Sequence, residues 1–145
     1  MRGWLAHRGA LRALGFDRGF QWLDGSFVED KVPRDLDIVT FTHRPAAAAH
    51  TIQLSQLFAS NPEQLRRDRI RARYSLDAFF VDLNGSPETV VNASRYFLGL
   101  FSHRRGDDLW KGMLQVRMED VQDDTAALAL LNAPPIPAPV GAASP

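Results

Sequence analysis

Two aspartates one residue apart, Asp35 and Asp37, stand at the entrance to an apolar run, Ile38-Val39-Thr40-Phe41. In an extended strand, residues two apart project from the same face, so both acids point the same way. Like charges repel, and a charge taken out of water is costly unless it is paired. A divalent cation carrying a phosphate is the simplest partner. Arg34, immediately before them, is a competing one. Upstream lies Gly25-Ser26, where a backbone free of Cβ can approach a ligand and main-chain amides can face phosphate oxygens. Taken alone, Gly25-Ser26 reads first as an ordinary strand-to-helix turn.

A third acid follows in Leu76-Asp77-Ala78-Phe79-Phe80-Val81. Asp77 shares a strand face with Phe79 and Val81. Asp82 falls on the opposite face with Ala78 and Phe80, beside Asn84-Gly85, where an acid is ordinary turn chemistry. Asp77 is therefore preferred as metal ligand or as base for an attacking hydroxyl. Lys31 and Lys111 are candidate phosphate contacts, with solvated lysines as the plain alternative. Arg66-Arg67-Asp68-Arg69-Ile70-Arg71-Ala72-Arg73 reads first as a solvated helix face and second as a surface for RNA or an acidic partner. His7, His43, His50 and His103 lack metal-ligand spacing, and Ser26 has no companions at a hydrolytic triad's spacing.

Gly25-Ser26, eight intervening residues, then Asp35-Leu36-Asp37-Ile38 resembles the signature of the nucleotidyltransferase superfamily, which shares its fold with DNA polymerase β. The wider wording is similar to a bacterial branch with Gly-Ser-Phe-Val, a lysine, a proline before the acids, a third acid on a later strand and a Lys-Gly step. These are Gly25 to Val28, Lys31, Pro33, Asp77 and Lys111-Gly112, over residues 18–118. The resemblance implies transfer of a nucleotidyl group from a nucleoside triphosphate to a hydroxyl on protein, RNA or a small molecule, with pyrophosphate released. It implies Mg2+ or Mn2+ held by Asp35, Asp37 and Asp77, which are also the catalytic residues. Gly25, Ser26, Lys31 and Lys111 would bind substrate. The chain departs from many small relatives of that kind in having Phe27-Val28-Glu29, with no basic residue, directly after Gly-Ser. The alternative is a non-catalytic scaffold that binds nucleotide or a protein, such as one member of a toxin–antitoxin pair.

These residues need a scaffold. At 145 residues the chain suits one domain with its own core. Lys plus Arg equals Asp plus Glu, 17 each, which argues against a broad basic surface for duplex DNA. The lack of cysteine excludes disulfides, thiolate metal sites and cysteine nucleophiles. No apolar run reaches membrane-spanning length, and the basic start lacks a signal peptide's apolar centre, so a cytoplasmic location is expected.

The spacing of Trp4, His7, Leu11 and Leu14 predicts a helix over residues 3–14. Strands are expected at Phe20 to Leu23, Leu36 to Phe41, Leu76 to Leu83 and Trp110 to Met118. Helices are expected at Ala46 to Ser60, with Ile52, Leu54, Leu57 and Phe58 as the apolar side, and at Leu65 to Arg71 after an Asn61-Pro62 start. A further helix begins at Ser86-Pro87, burying Val90, Ser94, Phe97 and Phe101, and a last one runs from Asp123 to Leu131. Arg104 to Asp107 reads as a turn. The predicted fold is α/β: a small mixed sheet with helices packed against it, as one domain over residues 1–132. Residues 133–145, rich in Pro and Ala, are expected to be a disordered tail.

Overall fold

The computed structural model describes residues 1–24, 36–103 and 109–134. Four of its strands form one mixed sheet: β1 (Gly19–Asp24), β2 (Leu36–Thr42), β3 (Leu76–Asp82) and β4 (Leu114–Arg117). The order across the sheet is β3-β2-β1-β4. β1 pairs antiparallel with both β2 and β4, and β2 pairs parallel with β3. A parallel pair needs a long crossover. Here it is made by a 3₁₀ turn (Ala46–Ala48), α2 (Thr51–Ser60), α3 (Pro62–Leu65) and α4 (Arg67–Tyr74). The α/β class and the small mixed sheet with packed helices are as the sequence predicts.

The alternation of the strands builds two cores. On one face Leu23, Leu36, Ile38, Leu76 and Ala78 meet Trp4 and Leu5 of α1 (Arg2–Ala13) and Ile70 of α4. Ile38 and Ile70 are wholly buried, so truncating either to alanine removes about 2–5 kcal/mol. On the other face Val39, Phe41 and Val81 pack against Phe97 and Phe101 of α5 (Pro87–Phe101). Ser86 caps α5, accepting from Thr89 N at 3.2 Å, and Pro87 suits its first turn.

Two glycines permit close approaches. A Cβ on Gly3 would lie 2.1 Å from the Tyr74 carbonyl oxygen, where α1 crosses the end of α4. Gly19 has φ +128°, and a Cβ there would lie 2.1 Å from the Phe41 oxygen.

α1 also carries a wholly buried charge. Arg8 donates from Nε to both oxygens of Asp124, at 3.0 and 2.8 Å, on α6 (Val121–Asn132). It donates further to Gln21 Oε1 and to the Arg117 carbonyl, and Gln21 in turn donates to Thr40 Oγ1. Arg12 joins through the Met118 carbonyl and Asp124. Arg8 lies four residues after Trp4 and three before Leu11, so helical periodicity places it on the apolar stripe.

Several elements differ in extent from expectation. The helix expected over Ala46 to Ser60 is broken at Ala49-His50, and α2 starts afresh, with Gln53 Oε1 accepting from the His50 amide at 3.2 Å. Leu54, Leu57 and Phe58 of α2 are half-buried, but Ile52 is exposed and not part of its apolar side. The basic helix starts at Arg67 because Arg66 is extended, and it ends at Ser75, which is left-handed with φ 57°. Only Leu114–Arg117 of the expected fourth strand pairs with β1, since Trp110 instead bridges to His103. Gly25, Ser26, Lys31 and Asp35, the Arg104 to Asp107 turn and residues 135–145 of the expected tail lie outside the described residues.

Candidate functional site

Strand pairing assembles an acidic row. Asp24 is paired with Asp37 across β1 and β2, and Asp37 with Asp77 across β2 and β3. Directly paired residues share a face and stand about 5 Å apart. Three carboxylates therefore cross one end of the sheet, on the face that carries Val39, Phe41 and α5. Asp82 is five positions further along β3, on the other face, roughly 17 Å away at the usual rise of a strand. It holds Arg44, whose Nε donates to Oδ2 at 2.8 Å. Asp77, not Asp82, is the neighbour of Asp37.

The outer acids of the row each have a cation. Lys111 Nζ donates to Asp24 Oδ2 at 2.9 Å, with the two side chains 13% and 5% exposed. The other oxygen, Asp24 Oδ1, is buried and has no hydrogen-bond partner among the described residues. Lys111 precedes β4 and faces inward, so the solvated alternative for it does not hold. At the far end Arg67 donates from Nε to Asp77 Oδ1 at 2.5 Å and from Nη2 to Oδ2 at 2.6 Å. That bond holds the Asp77 carboxyl below its usual range; partial burial opposes the shift, and the charges of Arg67 and Arg71 add to it. Arg67 also lies over the Phe79 ring, 4.3 Å from its centroid, within electrostatic reach of Asp37 and Tyr96.

Among the described residues, no group of three or more His, Asp and Glu side chains is gathered as a metal site. Asp24 is turned to Lys111 and Asp77 to Arg67. Of the sequence-derived site residues, Asp37, Asp77 and Lys111 come to one end of the sheet. Asp24 and Arg67 are additions. Asp24 had a signal, since Phe20, Trp22 and Asp24 alternate as Asp77, Phe79 and Val81 do. Arg67 had none beyond its place in a basic run.

Residues 1–117 match a family of unknown function, DUF6932. The chain belongs to the DUF6932 family. The matched span takes in α1, every strand of the acidic row and Lys111, so the row is built wholly within the DUF6932 region. α6, which supplies Asp124 to Arg8, lies beyond it. The chain matches no curated protein and no solved structure.

Away from the DUF6932 row, a small recess lies near the opposite ends of β2 and β3. Phe16, Leu54, Phe58 and Phe80 line it, with the Arg44–Asp82 pair beside them. No helix among the described residues is long and apolar enough to cross a membrane.

Proposed function

We propose that the protein is a metal-dependent nucleotidyltransferase, acting from a nucleoside triphosphate on a hydroxyl acceptor in the cytoplasm. The observation that carries this reading is the register that sets Asp37 beside Asp77 on one face of adjacent parallel strands. That register brings the later acid to the strand that follows Gly25-Ser26 and Asp35. Asp37 and Asp77, with Asp35 two residues before Asp37 in the sequence, are the oxygen ligands this reading assigns to Mg2+ or Mn2+, because magnesium takes oxygen ligands and keeps several waters. Such a metal, when bound, neutralises phosphate charge and acidifies an attacking hydroxyl.

The chain's own residues have distinct tasks in this reading. Asp35 and Asp37 hold the metal. Asp77 completes the ligand set or accepts the proton of the acceptor hydroxyl. Gly25 and Ser26 cradle phosphates, and Lys31 contacts them. Lys111 serves through Asp24, keeping the buried end of the row electrically balanced. The acceptor is a protein, RNA or small molecule.

The Arg67–Asp77 pair favours a second reading. An aspartate already neutralised by arginine needs no metal, and the chain would then be a non-catalytic nucleotide-binding or regulatory protein, such as one half of a toxin–antitoxin pair. Incubation with α- and γ-labelled triphosphates, Mg2+ or Mn2+ and cell extract separates the two. Transfer of α-label alone, lost in Asp77→Asn, is expected of the enzyme. Binding of triphosphate without any transfer supports the regulatory protein.

A further inference from the structure

Arg67 takes both oxygens of Asp77, at 2.5 and 2.6 Å. A divalent cation would need the same lone pairs, and two cations cannot share them at that distance. The two partners are unequally fixed: Asp77 is 14% exposed on a paired strand, whereas the Arg67 side chain is 56% exposed. The arginine also has an anchorage independent of Asp77, the Phe79 ring beneath its guanidinium. Helix stability does not account for it. Arg67 is the first residue of α4, and a cation there opposes the helix dipole. Arg71, one turn on, acts on Asp77 from the same side.

On the metal-site reading above, we propose that Arg67 is the counter-ion of Asp77 in the metal-free protein and becomes the ligand of the substrate's phosphate when a divalent cation replaces it. Displaced from the carboxylate, the guanidinium stays over Phe79, beside the acid row. A phosphate held by such a metal would offer oxygens that suit its fork. The exchange couples two ligands. Metal alone must evict an arginine, while metal with phosphate gives that arginine a new partner. Each therefore binds more tightly in the presence of the other.

The test measures Mn2+ binding to the full chain by paramagnetic resonance, and then binding of preformed Mn2+–tripolyphosphate by calorimetry. Wild type is compared with Arg67→Gln, Arg67→Lys and Asp77→Asn, each checked for fold by circular dichroism. Arg67→Gln should bind Mn2+ alone about fivefold more tightly and Mn2+–tripolyphosphate about fivefold more weakly than wild type. Arg67→Lys should fall between, keeping the charge without the fork. Asp77→Asn should weaken both. Wild-type Mn2+ binding with none of this gain in Arg67→Gln overturns the exchange and leaves the metal site standing. Unchanged tripolyphosphate binding by Arg67→Gln overturns the phosphate role. No Mn2+ binding by either protein overturns the metal reading and the exchange together.

Discussion

Lys111 Nζ lies 2.9 Å from Asp24 Oδ2, and this one bond ties the segment before β4 to the last residue of β1. Asp24 is 4% exposed, so the bond neutralises a charge that water barely reaches. Lys111→Met should lower stability in urea unfolding by about 3 kcal/mol, because it strands a buried carboxylate. The double variant Asp24→Leu with Lys111→Met should regain most of the loss, since an apolar pair has nothing to desolvate. A double variant no more stable than Lys111→Met alone would show that the pair does more than balance charge.

Asp124→Ala should be among the more damaging surface-helix substitutions. It removes the carboxylate partner of Arg8, whose side chain is wholly buried. A loss of about 3–5 kcal/mol is expected in equilibrium unfolding. A shift within error would mean that Gln21 and the Arg117 carbonyl suffice for the guanidinium.

His7 gives the fold an acid limb. Its Nε2 lies 2.8 Å from the Gln64 carbonyl, which can only accept, so Nε2 carries the proton and Nδ1 is left buried without a partner. The rings of Tyr74 and Phe80 face it, and burial holds its pKa below the ordinary 6.5. Below 6.5 the unfolded chain binds the proton and the folded one does not. Stability is therefore full above 6.5 and falls as pH drops towards the lower, folded pKa, by at most about 1.4 kcal/mol per pH unit. His7→Phe should be less stable at neutral pH, by about 1 kcal/mol for the lost bond to Gln64. Its melting temperature should vary less between pH 7 and 5. Parallel pH profiles for the two proteins would contradict this.

Asp77 and Asp82 can be told apart by ligand-induced stabilisation. On the proposed nucleotidyltransferase reading, magnesium with a nucleoside triphosphate should raise the melting temperature of wild type and of Asp82→Asn alike, and leave Asp77→Asn unmoved. Asp82→Asn should cost under about 1 kcal/mol, the worth of a partly exposed pair with Arg44. Loss of the ligand effect in Asp82→Asn would move the site to the opposite face of the sheet.

The strands were legible because alternation states both an element and its faces. The same pattern that put Asp77 with Phe79 and Val81 also set Asp82 apart, and the register agrees. What alternation does not contain is pairing. Nothing in Leu36 to Phe41 reveals that Asp37 will stand between Asp24 and Asp77, because register is a property of two strands. Asp24 was marked only by its alternation with Phe20 and Trp22, one residue past the expected strand. Arg8 was not among the helical positions Trp4, His7, Leu11 and Leu14 from which the first helix was read, and its partner Asp124 is 116 residues away. Arg67 was hidden in a basic run whose arginines are all exposed, as the run suggests, while Ile70 within it is buried. The helix expected from Ala46 to Ser60 failed at His50, where one side-chain bond restarts the helix against favourable alanine propensity.

The tie between Arg8 and α6 also orders events in time. At about 5–20 residues per second of synthesis, α1 is made roughly 5–20 seconds before the residues it must bind. Its guanidinium then waits for acceptors 109 and 116 residues downstream, at Arg117 and Asp124. Until these arrive, seating Arg8 beneath the sheet would bury a lone charge. Contacts of such long sequence separation carry the largest loop-closure penalty and belong late on the folding route. Substitutions at Arg8 and Asp124 should therefore speed unfolding and leave the folding rate nearly unchanged. α1, made well before α6, is thus seated only once α6 is in place.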